Sequence, residues 1–184
     1  MKNFTRKGSW LDQTSLEIRW IYSLFLVFAL IGHVTFVVMS TYRVGPGYAD
    51  IVRHYRGVEG DEMAFPKEFM TLLEVTHFHS YIEGIVLLVL AHLYVAAPLS
   101  RKMKLGVVGL SFGSTLLDLS SPWTVRYLSP YAAFGQLFAW GGMVVSYLPL
   151  TFVPLYYLWK KPLESRSQRK RDHHVRSEGD ERES

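Results

Sequence analysis

The stretch around which this sequence is organised is THFHSYIEGIVLLVLAH, residues 76–92. It brings three histidines, a glutamate and a glycine into a segment that is otherwise largely apolar. Ionisable side chains are costly inside a bilayer, so those that occur within a span are usually functional. We therefore expect this stretch to form a membrane-spanning helix that carries a site, and the rest of the chain to form the bundle that encloses it.

The composition places the chain among membrane proteins. Its 184 residues are 49% hydrophobic and 20% charged, and the apolar residues fall in long blocks with the charges between and after them. This segregation is typical of a multi-pass membrane protein. The first apolar block is too long for the hydrophobic region of a signal peptide and no cleavage site follows it, so we expect it to be retained as a span.

Two features of the composition narrow the function. The chain has no cysteine, which excludes disulfides, cysteine-ligated zinc, iron–sulfur clusters and covalently attached haem within it. Its net charge of +4 comes from basic residues beside the apolar blocks, so it indicates membrane orientation rather than nucleic-acid binding.

The predicted fold class is all-α, an integral membrane four-helix bundle with both termini cytoplasmic. Within a transmembrane domain of residues 20–161, the expected spans are about residues 20–40, 72–97, 105–125 and 131–159. The first supplies enough uncharged residues to cross roughly 30 Å of hydrocarbon at about 1.5 Å per residue. Residues 162–184 contain almost no large apolar side chains, which predicts a disordered cytoplasmic tail.

The segment between the first two spans predicts a periplasmic loop, residues 41–71. Within it, Gly45-Pro46-Gly47 indicates a turn, and residues 48–57 indicate a short surface helix that ends at Gly57. Lys and Arg concentrate instead in residues 1–19, around Arg101, and in the tail. The positive-inside rule places those segments in the cytoplasm and predicts a multi-pass protein of the cell inner membrane.

Depth in the membrane selects the first candidate site. His33 lies about eight residues below the outer end of the first span and His79 about eight residues into the second, each roughly 12 Å deep. Gly32 and Gly84 leave room beside them for a flat ligand. Two neutral imidazoles at one depth on neighbouring antiparallel helices predict a bis-histidine haem b, with His33 and His79 as the iron ligands.

Helical angle divides the second span into two faces. At 100° per residue, His77 and His79 point about 200° apart and cannot face one site. His77 shares a face with Gly84 and His92, whereas His79 shares one with Glu83. Two alternatives stay open: His79 ligates with Glu83 or His77 beside it, or His77 ligates and His79 lines a quinone or proton path. A second haem at His92 needs a methionine or another chain, since the last two spans hold no histidine.

Other interpretations use the same residues. Glu74 and His77 form a Glu-x-x-His pair of the kind found in carboxylate di-iron bundles, which suggests a non-haem metal site, although the second copy is missing. Alternatively, the histidines only hydrogen-bond between helices, and the chain is a non-catalytic membrane anchor or assembly subunit. Asp118, near the end of the third span, is expected to pair with Arg126 or to cap its helix.

Three features carry a family resemblance: a His-x-His at the start of a span, another histidine 13 residues after His79, and Trp123-x-x-Arg126-Tyr127 before the last span. This layout resembles small four-helix bacterial inner-membrane proteins of undefined activity. His33, His79 and His92 are also similar to the histidines of four-helix b-type cytochromes. That second resemblance implies a membrane subunit of a redox complex, with haem b or quinone as cofactor. It implies electron transport between the quinone pool and a periplasmic partner such as a c-type cytochrome, alongside other membrane or periplasmic redox subunits.

Overall fold

The structure, a computed structural model, describes residues 11, 14–58 and 65–180, with side chains described up to residue 160. This part of the chain is helical and contains no strand, so the all-α prediction is confirmed. The helices are α1 Leu16–Arg43, α2 Tyr48–Arg56, α3 Phe69–Ala96, α4 Arg101–Trp123 and α5 Ala133–Asp180. A π-helical turn, Thr124–Leu128, and a 3-10 turn, Pro130–Ala132, connect α4 to α5. Most of the predicted N-terminal segment, residues 1–19, lies outside the described residues.

The turn between α1 and α2 forms where the sequence predicts it. Gly45 has φ 96°, a left-handed conformation that favours glycine. The Asp50 carboxylate accepts a hydrogen bond from the Gly47 N–H at 3.0 Å and so caps the start of α2. Gly57, with φ 72°, ends the helix. The short surface helix expected over residues 48–57 is therefore confirmed.

The connection between α3 and α4 is also explained by its own residues. Ala97 is extended, with ψ 151°, because it precedes Pro98. The Ser100 hydroxyl then accepts a hydrogen bond from the Met103 N–H at 3.3 Å and caps α4. Since only residues 97–100 separate the two helices, α3 and α4 run antiparallel as neighbours.

Helix packing is uneven across the bundle. α4 packs most extensively against α5 and also contacts α3, whereas the main neighbour of α1 is α5. Only 11% of the apolar window of α1 is buried, against 39% of the apolar window of Pro130–Lys160, a segment that lies mostly in α5. α1 thus lies on the outside of a core formed by α3, α4 and α5.

Two apolar clusters divide this core along its length. We call the end of the bundle that carries α2 its outer end. The outer cluster contains the buried residues Ile51, Tyr55, Leu72, Val125 and Ala133. The inner cluster lies towards the other end and includes Leu26, Leu87, Leu90, Leu93, Tyr94, Leu150 and Leu158. Between them, the helices carry polar side chains.

Three helices of the described chain are long and apolar enough to cross a membrane: α1, α3 and the segment Pro130–Lys160. These correspond to three of the four predicted spans, and the chain is a membrane protein. α4 does not meet the same criterion, because much of its buried face consists of serine, threonine and aspartate side chains rather than leucine.

α5 extends beyond the predicted last span. It continues as helix through Lys160 and Pro162 to Asp180, where the sequence suggested a disordered tail over residues 162–184. The scarcity of large apolar residues rules out a packed core for this segment, but Glu, Gln, Lys and Arg have high helix propensity. Low hydrophobicity therefore does not prevent a helix here.

Candidate functional site

α4 presents a polar face to the bundle. Its buried polar residues recur every three or four positions and therefore share one side of the helix: Ser111, Ser114, Thr115, Asp118 and Ser121. The Ser111 and Ser121 hydroxyls donate to carbonyls of their own helix, Val108 O at 2.9 Å and Leu117 O at 2.6 Å. These hydroxyls need no water, because the helix backbone satisfies them. Asp118 is the one carboxylate on this face.

Asp118 bonds to α5 rather than to the groups that the sequence suggested. It is 8% exposed, and its Oδ1 accepts hydrogen bonds from Gln136 Nε2 at 3.0 Å and Trp140 Nε1 at 2.9 Å. The expected pairing with Arg126 is wrong, because the Arg126 Nε donates to the Lys67 carbonyl at 3.1 Å. Gln136 and Trp140 lie one turn apart on α5, which aims both donors at one acceptor.

On α3, His79 and Glu83 face the bundle together. Nδ1 of His79 lies 2.8 Å from Oε1 of Glu83, whose side chain is 13% exposed. Both residues lie on the helical face that also carries the buried Leu72 and Leu87. They are close enough to Asp118 to interact with it electrostatically. Oε2 of Glu83 is buried and has no hydrogen-bond partner among the described residues.

His33 joins these residues from α1. Its ring stacks on Tyr147 of α5, with 4.4 Å between ring centroids and 11° between ring planes. It also interacts electrostatically with Glu83. Its Nε2 is buried, and the described part of the chain offers it no hydrogen-bond partner. The sequence suggested that His33 faces His79 across neighbouring helices, but its ring stacks on α5, because α1 packs chiefly against that helix.

We refer to these side chains as the polar layer: His33 of α1, His79 and Glu83 of α3, Asp118 of α4, and Gln136, Trp140 and Tyr147 of α5. Along α3, the layer follows Leu72 of the outer cluster and precedes Leu87 of the inner cluster. Along α5, it begins after Ala133 of the outer cluster and meets the inner cluster at Tyr147, which belongs to both. The polar layer is therefore enclosed between two apolar clusters.

Tyr55 of α2 lies at the outer edge of the polar layer. It is 8% exposed, and its hydroxyl interacts with Gln136 and, electrostatically, with Asp118. Burial, with the Asp118 charge adding to it, raises the pKa of the Tyr55 hydroxyl above its usual value. The hydroxyl therefore keeps its proton at physiological pH and remains both a hydrogen-bond donor and an acceptor.

His54, next to Tyr55, is held neutral. Burial lowers the pKa of His54 to about 4, and the positive charges of Lys67 and Arg43 act in the same direction. Its side chain also bonds to the backbone of Arg43, the last residue of α1. This neutral imidazole links the surface helix to the outer end of α1.

The remaining candidate residues lie away from the polar layer. His77 and His92 are exposed, and the His77 ring contacts Tyr81 edge-on at 5.2 Å. The division of α3 into a His77 face and a His79 face thus matches the pattern of exposure. Glu74 is also exposed, and the described residues contain no group of three or more His, Asp or Glu side chains suited to a metal ion.

Gly32 and Gly84, the two glycines that the sequence suggested leave room for a ligand, have no close neighbours. A Cβ built at either position meets no described atom within 4 Å. Both are exposed on the surface of the bundle.

Two features of this arrangement decide what it could hold. Since Glu83 occupies Nδ1 of His79, the nitrogen left to bind a ligand or a metal is Nε2. His33 Nε2 and Glu83 Oε2 are buried polar atoms with unused hydrogen-bonding capacity. Such atoms are costly in hydrocarbon unless a ligand or water satisfies them.

Sequence reasoning missed Tyr55, Gln136, Trp140 and Tyr147. One signal could have found some of them. The polar residues of α4 repeat at helical spacing around Asp118, and α5 presents the donors Gln136 and Trp140 four residues apart. Two complementary polar faces on consecutive helices predict an interhelical hydrogen-bond network.

One comparison with known proteins gives a match. The model of a family described as a transmembrane helical domain matches residues 45–165. The match begins after α1 and covers α2, α3, α4 and the apolar part of α5. No curated protein and no solved structure matches the chain.

Proposed function

The chain belongs to the Aq_1264_TM family of transmembrane helical domains, and on this premise we propose that it is the membrane subunit of a redox complex. In this proposal the polar layer binds the head group of a quinol from the inner-membrane quinone pool. A periplasmic or membrane redox subunit that carries haem, such as a c-type cytochrome, accepts the electrons.

One observation carries the proposal: Glu83 Oε2 and His33 Nε2 are buried without a partner on two different helices. A quinol carries a hydroxyl at each end of a flat apolar ring, and each hydroxyl both donates and accepts. Such a head group can donate to the Glu83 carboxylate at one end and to the neutral His33 ring at the other. Its ring and isoprenoid tail suit the apolar clusters that adjoin the polar layer.

The redox step balances within this arrangement. Oxidation of a bound quinol to quinone breaks two O–H bonds and releases two electrons and two protons. The electrons leave to the haem-bearing partner, one at a time. Glu83 takes one proton and the neutral His33 ring takes the other, because each accepts the hydrogen bond of one quinol hydroxyl. Both residues return their protons to solvent before the next turnover.

A second candidate rests on the two histidine nitrogens. His33 Nε2 and His79 Nε2 fit the donor set of a b-type haem, since Glu83 holds His79 by its other nitrogen. If bound, haem would supply one-electron transfer, and His33 and His79 would hold its iron.

We also propose that α4 crosses the membrane, so that the bundle has four spans. Several observations support this. The connections of α4 to α3 and α5 are short, and α4 packs along both helices. The hydroxyls of Ser111, Ser120 and Ser121 donate to backbone carbonyls of α4 itself. A 23-residue helix at about 1.5 Å per residue is long enough to cross the hydrocarbon core. With Lys and Arg flanking the start of α4, α2 and the outer end face the periplasm and both termini face the cytoplasm.

The quinone content of the purified full-length protein tests the main proposal. We expect extraction with organic solvent, followed by chromatography, to recover quinone from wild type and much less from Glu83→Gln and His33→Leu. Glu74→Gln, on the exposed side of α3, is the matched control and should retain wild-type content. Equal quinone in Glu83→Gln and wild type contradicts the proposal.

The same preparations separate the other interpretations. A reduced-minus-oxidised absorption spectrum with a haem b band that both His33→Leu and His79→Leu remove favours the haem site. If His77→Ala removes the band instead, the ligand is His77. A colourless protein that copurifies with other subunits but binds no quinone is a membrane anchor or assembly subunit.

The topology has its own test. Because the native chain has no cysteine, single cysteines can be introduced without background. A membrane-impermeant maleimide applied to intact spheroplasts should label Arg53→Cys on α2 and leave Lys102→Cys unlabelled until the cells are lysed. Labelling of both positions in intact cells contradicts the orientation and the crossing of α3.

A further inference from the structure

We propose that the outer end of the bundle binds a phosphate group, as carried by the head group of an anionic phospholipid, between Arg56 of α2 and Arg126 of the π-helical turn. This site lies outside the polar layer and is independent of the proposed quinol site. Three observations support it: a buried donor without a partner, two hydrogen bonds that bring the two arginines together, and a row of aromatic rings beside them.

The buried donor belongs to Arg56, the last residue of α2. Its Nη1 is buried, and the described residues offer it no hydrogen-bond partner. A guanidinium stays charged at physiological pH, and a buried donor of a charged group is costly when it lacks an acceptor. An anionic oxygen removes this cost best, because charge-assisted hydrogen bonds are the strong ones.

Lys67, in the loop before α3, brings the two arginines together. Its N–H donates to the carbonyl of Tyr55, the residue before Arg56, at 3.1 Å. Its own carbonyl accepts a hydrogen bond from Arg126 Nε, also at 3.1 Å. α2 packs against the π-helical turn, and Tyr55 and Val125, which precede the two arginines, share the outer cluster. The two arginines are therefore neighbours at the outer end.

Arg126 is held by two contacts that leave its terminal nitrogens for a ligand. Its Nε bonds to the Lys67 carbonyl, and its guanidinium lies over the Tyr127 ring, 5.1 Å from the ring centroid. These contacts use Nε and one face of the guanidinium plane. The two Nη groups lie at the edge of that plane, in the fork geometry that binds two oxygens of one phosphate.

The surroundings of the site are positively charged. Burial lowers the pKa of His54, and the positive charges of Lys67 and Arg43 lower it further. Two nearby acids do not offset this charge within the site: the Asp50 carboxylate caps the start of α2, and Glu68 is exposed. An excess of positive charge favours an anionic ligand over a neutral one.

The aromatic rings beside the site favour a lipid as the source of the phosphate. Tyr127 stacks on Trp123 with 6.0 Å between ring centroids, and Trp123 contacts Phe69 edge-on at 5.2 Å. Phe69 and Met70, at the start of α3, are both more than half exposed. Aromatic belts of this kind lie at the level of the lipid head groups. A phospholipid would place its phosphate on the arginines and its acyl chains along the exposed apolar side chains of α3.

Lipid binding to the purified, delipidated full-length protein tests the proposal. We expect native mass spectrometry to show one retained molecule of added phosphatidylglycerol, and much less of added phosphatidylcholine, whose head group has no net charge. Arg56→Gln and Arg126→Gln should each weaken phosphatidylglycerol binding at least about tenfold, as expected for the loss of a charge-assisted hydrogen bond. Arg53→Gln removes an exposed charge from the same surface helix and is the matched control, which should bind as wild type does.

Charge-conserving variants separate a built site from general attraction to a basic surface. Arg56→Lys and Arg126→Lys keep the positive charge but lose the planar fork that binds two oxygens. We expect both to bind phosphatidylglycerol more weakly than the Arg53→Gln control does, and they stand in for the glutamine variants if those do not fold. Phosphatidylglycerol binding that is equal in wild type and in the Arg56 and Arg126 variants overturns the proposal.

Inorganic phosphate distinguishes the two sources of the ligand. At constant ionic strength, excess inorganic phosphate should leave phosphatidylglycerol bound, because the lipid is also held by its acyl chains. Displacement by phosphate, but not by chloride at the same ionic strength, supports the arginine site and assigns it to free phosphate. Displacement by both salts alike shows that only general charge attraction holds the lipid, and it overturns the site.

Discussion

α1 and α4 differ in opposite ways in hydropathy and in packing: the more apolar helix, α1, is the less buried of the two. α1 meets the criteria for a membrane span on length and composition, yet only 11% of its apolar window is buried. α4 fails those criteria, yet it forms the most extensive helix pair of the bundle, with α5. The difference teaches that in this protein hydropathy identifies the surface that meets lipid, whereas small and polar side chains identify the surface that meets another helix.

The physical reason is that apolar side chains gain little from helix–helix contact in a membrane, whereas small and polar side chains gain more. Lipid is as apolar as leucine, so a span gains little by burying leucine against another helix instead of lipid. Serine and glycine allow close approach, and Asp118 bonds across the interface. α1 has fewer such groups: its Ser23 accepts a hydrogen bond from Trp159 at 2.9 Å, and its His33 stacks on Tyr147.

The largest expected effect comes from removing the acceptor of the α4–α5 interface. Asp118→Ala leaves the Gln136 and Trp140 donors buried without a partner, at a cost of about 1–3 kcal/mol each. Thermal unfolding in detergent should show this loss, and Asp118→Asn, which keeps one oxygen, should lose less. Ser120→Ala, on the exposed side of α4, is the control. A melting temperature of Asp118→Ala equal to that of Ser120→Ala would show that the interface does not depend on this carboxylate.

Glycine substitutions test close packing on α5. A Cβ at Gly142 meets the Ser114 Cβ at 3.1 Å, whereas at the adjacent Gly141 it meets no described atom within 4 Å. Gly142→Leu should destabilise the bundle by about 1–3 kcal/mol through overpacking, and Gly141→Leu should have little effect. Thermal unfolding in detergent compares the two variants. Equal losses of stability would mean that α4 and α5 are not packed as closely as the contact between Gly142 and Ser114 indicates.

A smaller effect is expected on α1. Ser23→Ala removes the acceptor of the Trp159 indole N–H and should cost about 0.6 kcal/mol, the average for interhelical hydrogen bonds in membranes. Thr35→Ala, on the exposed side of α1, is the control. A loss for Ser23→Ala as large as that for Asp118→Ala would contradict the view that α1 is only loosely attached.

The smallest effect is a pH dependence at the outer end of α1. Because the pKa of His54 is lowered to about 4 in the folded state, the unfolded chain binds a proton between pH 6.5 and 4 that the folded chain does not. Stability should therefore fall as the pH decreases through that range and change no further from this residue below it. Solvent screening reduces the effect, since His54 is only half-buried.

Melting temperatures of wild type and His54→Gln across the same pH range isolate this contribution from those of the carboxylates. The difference between the two should shrink as the pH falls. A constant difference means that His54 titrates alike in the folded and unfolded chain and does not link α2 to the end of α1.

Much of the fold could be predicted from local patterns. The turn at Gly45 and the end of α2 at Gly57 were predictable because glycine tolerates a positive φ that other residues avoid. The opposite faces of His77 and His79 follow from helical angle alone. The pairing of His79 with Glu83 is also local, as the two residues lie one turn apart. The partner of Asp118 was not predictable in this way, because Gln136 and Trp140 lie on another helix.

The sequence by itself determined that this is a helical membrane protein and that α3 carries two chemically different faces, one with His77 and one with His79. These properties depend on residue order and helical period. Only the tertiary structure decided that His33 stacks on Tyr147, that Tyr55 reaches the polar layer, and that a serine-rich helix forms the most extensive contact of the bundle. Which helices pack together depends on the fit of small and polar side chains across their interfaces, and the apolar content of each helix does not encode that fit.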